Sequence, residues 1–415
     1  MRFTAADVNL DRVLSRLNHL AGIGATPAGG VTRHTFSPEH VQATRDAAGW
    51  MTEAGLDAFV DQYGNLLAHC AGADSSADRV LSGSHLDSVP NGGNYDGVLG
   101  VLAPLEALTM FQEKGLLTHK PLGLVSFIEE EGARFQGLLG STLAVGQVPD
   151  DEMAEISDAE GNRYLDLLAS SDFGLPRRHV DWDRGLHAFL ELHIEQGKRL
   201  EAAGIPIGLV SSIAGPTFMR VTFTGQADHA GATEWDDRRD SLLAAAMAIV
   251  ALRDLAMQEF RGKAHVTVGA LDVQPNVTNV IAGETVFNID FRAADADTRA
   301  ALDQGIKNIL AECAASQRID FNVRNLHGAP PVETGGTLRH ALENGVAAAG
   351  LACMPLVSWA AHDAMNMAQV TDSGMLFVPC RDGRSHTPEE YVSPDDVASG
   401  VAVLANALLE LADQR

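Results

Sequence analysis

Along the first half of the chain, short apolar runs and longer stretches of helical spacing take turns. Residues 78–84 (DRVLSGS) read as a short apolar strand, and Gly97 to Lys114 has apolar residues at helical spacing among good helix formers. PLGLVSFIEEE, residues 121–131, reads as a second buried strand, followed by a helical stretch from Gln136 to about Val145. This alternation predicts βαβ units: an α/β fold with a mixed, largely parallel sheet flanked by helices. In open sheets of that kind ligands bind beyond the carboxyl ends of the strands. His85 and Glu129–Glu131 both fall at such ends. The opening MRFTAADVNLDRVLSRLNHLAGIG reads as an amphipathic helix after a polar start.

The pattern changes near SSIAGPTFMRVTFTG. From Phe218 it predicts a strand, a helix over Ser241 to Met257, strands AHVTVGALDV and ETVFNIDFRA, a helix from Asp297 to Cys313, and a strand RIDFNVRN. The order βαββαβ is that of a split-βαβ, ferredoxin-like α+β unit. Glycine- and proline-bearing connections bound it, Ala214-Gly215-Pro216 and HGAPPVETGG. The expectation is therefore a domain at 214–330 inserted between two parts of the first domain, 1–213 and 331–415.

Composition narrows the classes. The chain has 415 residues, 46% hydrophobic and 20% charged, which fits a folded protein of two domains. A formal net charge of -25 argues against nucleic acid or an anionic membrane as partner. Cys70, Cys313, Cys353 and Cys380 are widely spaced, and the amino end carries no export pattern, so a cytoplasmic location is expected. No apolar run reaches the ~20 residues needed to cross a bilayer.

Several polar residues stand where apolar runs end. His85 and Asp87 form H-x-D, where Asp87 is placed to steady the second ring nitrogen of a metal-bound histidine. Asp96 follows a glycine turn at the mouth of the next helix, and Glu129-Glu130-Glu131 closes a buried run. LELHIEQG supplies His193 with Gln196, and FVPCRDGRSHTPEE supplies His386. Each alone has a plainer reading: Asp96 as an N-cap, the glutamates as a solvated strand end, a lone histidine as a core residue. Together His85, Asp96, Glu131, His193 and His386 make three imidazoles and two carboxylates, donors suited to divalent transition ions. One carboxylate shared between two ions fits a two-metal hydrolytic site that holds a water between them.

The motifs GSHLDSV...GGNYDG, EEEGARF, LELHIEQG, ADHAGAT...RRD, QPNVTNVIAGETVFNIDFR, AAHDAMNMA and FVPCRDGRSHTPEE run in order through nearly the whole chain. In these the chain resembles the hydantoinase/carbamoylase branch of the M20 metallopeptidase-like amidohydrolases, which includes N-carbamoyl-L-amino acid hydrolases and allantoate, ureidoglycolate and β-ureidopropionate hydrolases. The resemblance implies a zinc-peptidase-like catalytic domain with an inserted lid and dimerisation domain, and two divalent ions per subunit, zinc first, with manganese, nickel or cobalt as alternatives. It implies that His85, Asp96 and His193 hold one ion and Asp96, Glu131 and His386 the other, with Glu130 as general base. It implies that His229 of the lid reaches the active site of the other subunit of a homodimer and meets the developing oxyanion. Gln196, Asn276 and Arg292 match substrate-contacting positions, and His362 supports the site from behind.

One departure stands out. Relatives carry Gly-Ala-Gly before His-Asp-Ala, in a loop whose backbone amides help bind the substrate carboxylate, and here the segment is Ser358-Trp359-Ala360-Ala361. Ala360 and Ala361 then supply those amides from a less permissive backbone. The expected activity is hydrolysis of the carbamoyl C–N bond of an N-carbamoyl-L-amino acid, a small carboxylate-bearing ureide. Allantoate hydrolysis is the nearest alternative, GGVTRHTFSPEHVQA being similar to segments of those enzymes. An inactive metal-binding scaffold is the alternative outside enzymes.

Overall fold

The computed structural model of the protein describes residues 2–413 and divides into two compact units. One holds the chain up to Ser211, Thr334–Leu356 and the residues from His362 onward; the other holds Ser212–Glu333 and Val357–Ala361.

The first unit is built on a mixed sheet. In spatial order its strands are Asp57–Val60, Leu66–Cys70, Leu122–Phe127, Arg79–His85, Leu186–Ile194, Asp372–Val378 and Ile207–Ile213, with Cys353–Ser358 also paired to the last. The four from Leu122–Phe127 to Asp372–Val378 are mutually parallel, whereas Leu66–Cys70 runs antiparallel to both its neighbours and Ile207–Ile213 antiparallel to Asp372–Val378. Their sequences read as near-continuous apolar runs because both faces are covered by helices. The helix Val98–Glu113 is buried all round from Val98 to Phe111. It joins the same core as Leu10–Gly22 and Pro394–Asp413.

Close approach of that helix to the sheet depends on glycine. A Cβ at Gly100 would lie 2.5 Å from the Leu192 carbonyl oxygen and 2.5 Å from Ser84 Cβ. The bare backbone lets the first helical turn lie directly on the ends of two strands, those that carry His85 and His193.

The second unit is a four-stranded antiparallel sheet in the order Asp320–Gly328, Gly215–Thr224, Glu284–Ala293, Ala264–Gln274. The helices Ser241–Glu259 and Ala296–Gln317 share its core through Ala244, Ala248, Leu252, Leu302, Ile306 and Leu310. The chain order βαββαβ is the one the pattern predicts. Asp240 and Asp295 cap the two helices, each accepting from backbone amides of the first turn. The helix Ser241–Glu259, two residues longer than the pattern predicts, is by length and composition apolar enough to cross a membrane. Ala244, Ala245, Ala248, Leu252 and Ala256 of this helix are buried in the domain core, whereas Leu243, Met247, Val250 and Met257 are exposed.

Element ends differ from the pattern where polar residues stop being structural. The strand expected to run to Glu131 ends at Phe127, and Glu129 has φ 58. The helix expected from Gln136 begins at Leu139, and the second helix of the inserted unit continues past Cys313 to Gln317.

Candidate metal centre

The four parallel strands deliver the predicted ligands to one edge. His85 is the last residue of its strand, and His193 the penultimate of its own. Glu130 and Glu131 follow the strand that ends at Phe127, and His386 follows the one that ends at Val378. Asp96 comes from the turn before Val98–Glu113. It does not cap that helix: Gly97 holds the N-cap position with φ 66 and no side-chain bond. A Cβ at Gly97 would lie 2.3 Å from the His85 ring, so only glycine lets Asp96 stand beside that imidazole.

Two clusters meet on Asp96. Its Oδ1 lies 3.5 Å from His85 Nε2 and 3.0 Å from His193 Nε2, and its Oδ2 lies 3.3 Å from His386 Nε2. His386 Nε2 is in turn 3.2 Å from Glu131 Oε2. The potential donor atoms of His85, Asp96 and His193 lie within 4.8 Å of one another, and so do those of Asp96, Glu131 and His386. All five predicted ligand positions are therefore brought together, with Asp96 common to both groups. Glu191, His193 and His362 form a further group of the same kind behind them.

Hydrogen bonds fix how the rings face. His85 Nδ1 donates to the Asp87 carbonyl at 3.1 Å and His193 Nδ1 to the Ile194 carbonyl at 3.0 Å, which turns both Nε2 atoms toward Asp96. The Asp87 contribution is its backbone carbonyl, since its carboxylate is 3.7 Å from the ring and instead accepts from the amides of Glu130 and Glu131. The strand has already ended, so the alternation that would have aligned the two side chains does not reach Asp87.

The three adjacent glutamates separate. Glu129 turns back to accept from the amides of Arg134 and Phe135, while Glu130 lies 3.6 Å from His85 Nε2. The Arg134 side chain pairs with Asp158 at 3.0 Å and not with the glutamates.

The electrostatics are those of too many carboxylates in one place. Burial pushes the Glu130 carboxyl well above its usual range, with His85 opposing and Asp363 and Glu131 adding to the rise. Burial likewise raises Glu131 to about 7, helped by Asp96. Burial disfavours charge on His193, yet the Asp96 carboxylate outweighs it and lifts the ring to about 9. His85 is raised well above its ordinary value in the same way, by Glu130 and Asp96 against burial. An Nε2 lone pair aimed at a carboxylate oxygen needs a proton or a cation between them. Imidazole Nε2 and carboxylate atoms at this spacing fit divalent ions, which would take the places that protons hold in their absence.

Gln196, expected to touch substrate, donates from Nε2 to Asp96 Oδ2 at 2.8 Å and leaves its buried Oε1 without a partner. His362 packs its ring 4.6 Å from that of His193. The remaining predicted residues belong to the second unit. His229 is exposed, and its Nδ1 accepts from the amides of Gly231 and Ala232, so its proton sits on Nε2. Asn276 is exposed with φ 58. Arg292 pairs with Asp290 at 3.0 Å and donates to the Trp359 carbonyl at 2.6 Å, beside the half-buried Ala360 and Ala361.

Four contributors were not singled out from sequence. Glu390 Oε1 accepts from the amides of Tyr95 and Asp96 at 2.7 and 3.0 Å, and a Cβ on Gly93 would lie 2.1 Å from its carboxylate. Ser385 Oγ lies 2.5 Å from Asp96 Oδ2 and 3.0 Å from Glu390 Oε2. Buried Arg33 donates to the Leu86 carbonyl at 2.6 Å and steadies the turn after His85. Glu191, two residues before His193 on the same strand face, accepts from Ser84 Oγ and the Ala364 amide. Its alternation with His193 in LELHI was the signal available for it.

The profile of peptidase family M20/M25/M40 matches residues 81–410. The chain belongs to this family. It is 38% identical to the N-carbamoyl-L-amino acid amidohydrolase of Geobacillus stearothermophilus over 97% of its length and 98% of that protein's. It is 34% identical to the allantoate amidohydrolase of Escherichia coli (strain K12), covering 95% of this chain and 96% of that one. The crystal structure of an amidase of the hydantoinase/carbamoylase family from Burkholderia multivorans superposes with a TM-score of 0.91 at 34% identity, over 98% of both chains.

Protons and any divalent ion held at this site would compete for the same atoms. With His193 at about 9 and Glu131 at about 7, both are protonated below pH 7, and metal uptake has to expel those protons. The apparent affinity for Zn2+ is expected to rise between pH 6 and pH 8, by about tenfold per pH unit for each proton displaced. Calorimetry in two buffers of different ionisation enthalpy reads the proton release directly; a pH-independent affinity with no release contradicts it.

Proposed function

We propose that this protein is a metal-dependent amidohydrolase that cleaves the carbamoyl C–N bond of an N-carbamoyl-L-amino acid, giving ammonia, carbon dioxide and the free amino acid. The observation that carries the reading is the Asp96 carboxylate common to two donor groups with the buried Glu130 carboxyl beside them. The relative at 38% identity over nearly the whole chain supports the substrate class.

His85, Asp96 and His193 would hold one divalent ion, and Asp96, Glu131 and His386 a second; zinc suits the donors, and manganese, nickel and cobalt are alternatives. Ions held there would supply Lewis acidity and acidify a bound water. Glu130 takes a proton from the attacking water and hands it to the departing nitrogen, a task suited to a carboxyl that burial has made more basic. His229, with its proton on Nε2, donates to the oxyanion. Arg292 exchanges its Asp290 partner for the substrate carboxylate, which also takes bonds from Asn276 and the backbone of Ala360 and Ala361. Gln196, whose Oε1 is unpartnered, turns that oxygen to the ureido nitrogen. The larger Trp359, packed edge-on at 4.2 Å against His265, narrows the place the carboxylate takes.

We propose further that the protein works as a homodimer joined through the inserted domain, with His229 supplied in trans. Leu243, Met247, Val250 and Met257 leave an exposed apolar stripe at helical spacing on Ser241–Glu259, and the strand Ala264–Gln274 lies at the edge of its sheet. Allantoate hydrolysis is the second reading, favoured by GGVTRHTFSPEHVQA and by the Escherichia coli relative.

Metal-reconstituted protein is to be assayed for stoichiometric ammonia release from N-carbamoyl-L-amino acids, allantoate, ureidoglycolate and N-carbamoyl-β-alanine. The expected result is fastest release from an N-carbamoyl-L-amino acid, with Glu130→Gln slower by roughly 10²–10⁴-fold at unchanged metal content. Preference for allantoate moves the assignment to the second reading, and full activity in Glu130→Gln contradicts the mechanism. Mixing His229→Ala with Glu130→Gln protein is expected to restore part of the activity that each lacks; no recovery contradicts a shared site.

A further inference from the structure

At the other end of the same strands lies a cleft of about 380 Å³ that the chemistry above does not use. Arg79 opens the strand that His85 closes, so six residues, roughly 20 Å at the rise of an extended strand, separate the cleft from the candidate metal centre. Its floor is apolar and buried, made by Phe59, Leu67, Leu81 and Trp182. Its rim carries Arg79, Arg178 and Arg184 against a single carboxylate, Asp181, in a protein whose net charge is -25.

The three guanidinium groups are not equivalent. Arg178 makes a two-pronged contact to Asp57 at 2.5 and 2.9 Å and lies 4.6 Å over the Phe59 ring. Arg184 sits 3.8 Å from Asp181. Arg79 is half-buried, and its neighbour is an imidazole: Nη1 lies 2.7 Å from His69 Nε2. Burial, with Arg79 adding to it, pushes His69 down to about 3, so the ring is neutral and offers no countercharge. Burial lowers Arg79 as well, and no carboxylate among the described residues opposes it. Of the three rim cations Arg79 alone, among the described residues, has no carboxylate partner, at a cost that an anion would remove.

The walls are held in place. Gln62 exchanges two hydrogen bonds with the backbone of Val180, at 2.9 and 3.0 Å. The backbone of residues 176–178 pairs with Val60 on both sides. The cleft is thus preformed, with one planar fork for a ligand head and an aromatic floor for its body.

We propose that this cleft is a binding site for a small organic monoanion, a carboxylate on an apolar or aromatic body, seated with its carboxylate on Arg79. A single unmatched guanidinium favours one negative charge over a phosphate dianion, and the floor favours a body that leaves water. The site is independent of the metal centre and of the activity proposed for it.

Soaking crystals of the full chain in 4-bromobenzoate locates the site without any substitution. The expected result is a bromine anomalous peak in the cleft; a peak confined to the metal centre, or none, overturns the proposal. In solution, calorimetry is expected to show benzoate binding at least tenfold more tightly than the neutral benzamide, weakened at least tenfold in Arg79→Gln and less in Arg79→Lys. Equal affinity for the two probes, or for wild type and a folded Arg79→Gln, overturns it.

Discussion

The constraint on which this structure turns is like charge gathered on one buried carboxylate. Asp96 stands between three imidazoles, with Glu130, Glu131, Glu191 and Glu390 close by. Carboxylates taken out of water repel one another unless something positive lies among them. Protons can serve, and the raised His85, His193 and Glu131 are the signature of that arrangement. A divalent cation held by the same atoms would bring two positive charges where a proton brings one. The surrounding hydrogen bonds hold the donors facing inward whichever cation is present. Nδ1 of His85 and of His193 is tied to a backbone carbonyl, the Asp87 carboxylate pins the Glu130 and Glu131 amides, and Glu390 clamps the amide of Asp96.

The sheet makes this crowding geometrically possible. Parallel strands present all their carboxyl ends at one edge, so residues far apart in sequence arrive together without any long loop being buried. The helix that follows His85 could not come so near if Gly97 or Gly100 carried a side chain. The inserted unit is a compact body of its own, in which Arg292 stands on the four-stranded antiparallel sheet and His229 on a separate two-stranded pairing with Val280–Ile281.

Much of this was readable from residue types and spacing, because ligands at strand ends leave a strong local mark. An apolar run that closes on His85 or His193 has few structural reasons to do so, and the βαββαβ order of the inserted unit follows from periodicity alone. The supporting partners were not readable, for a physical reason. Glu390 reaches Asp96 across 294 residues, and Ser385 does so across 289. Which carboxylate meets which amide is decided by how strands are ordered in the sheet, which spacing does not encode. Glu129 shows the same limit at short range: a single left-handed residue turns it away from its two neighbours. Asp87 acts through its carbonyl because the strand ends at His85, two residues earlier, so alternation does not bring its side chain into line with His85.

The central claim is that Asp96 belongs to two ion sites at once. It is tested most directly by the metal content of Asp96→Asn, measured by plasma mass spectrometry after dialysis alongside wild type. The account expects two ions per wild-type subunit, and the loss of both from the variant while its circular dichroism is unchanged. A variant that keeps one ion at full occupancy, or a wild-type protein that binds none, contradicts it.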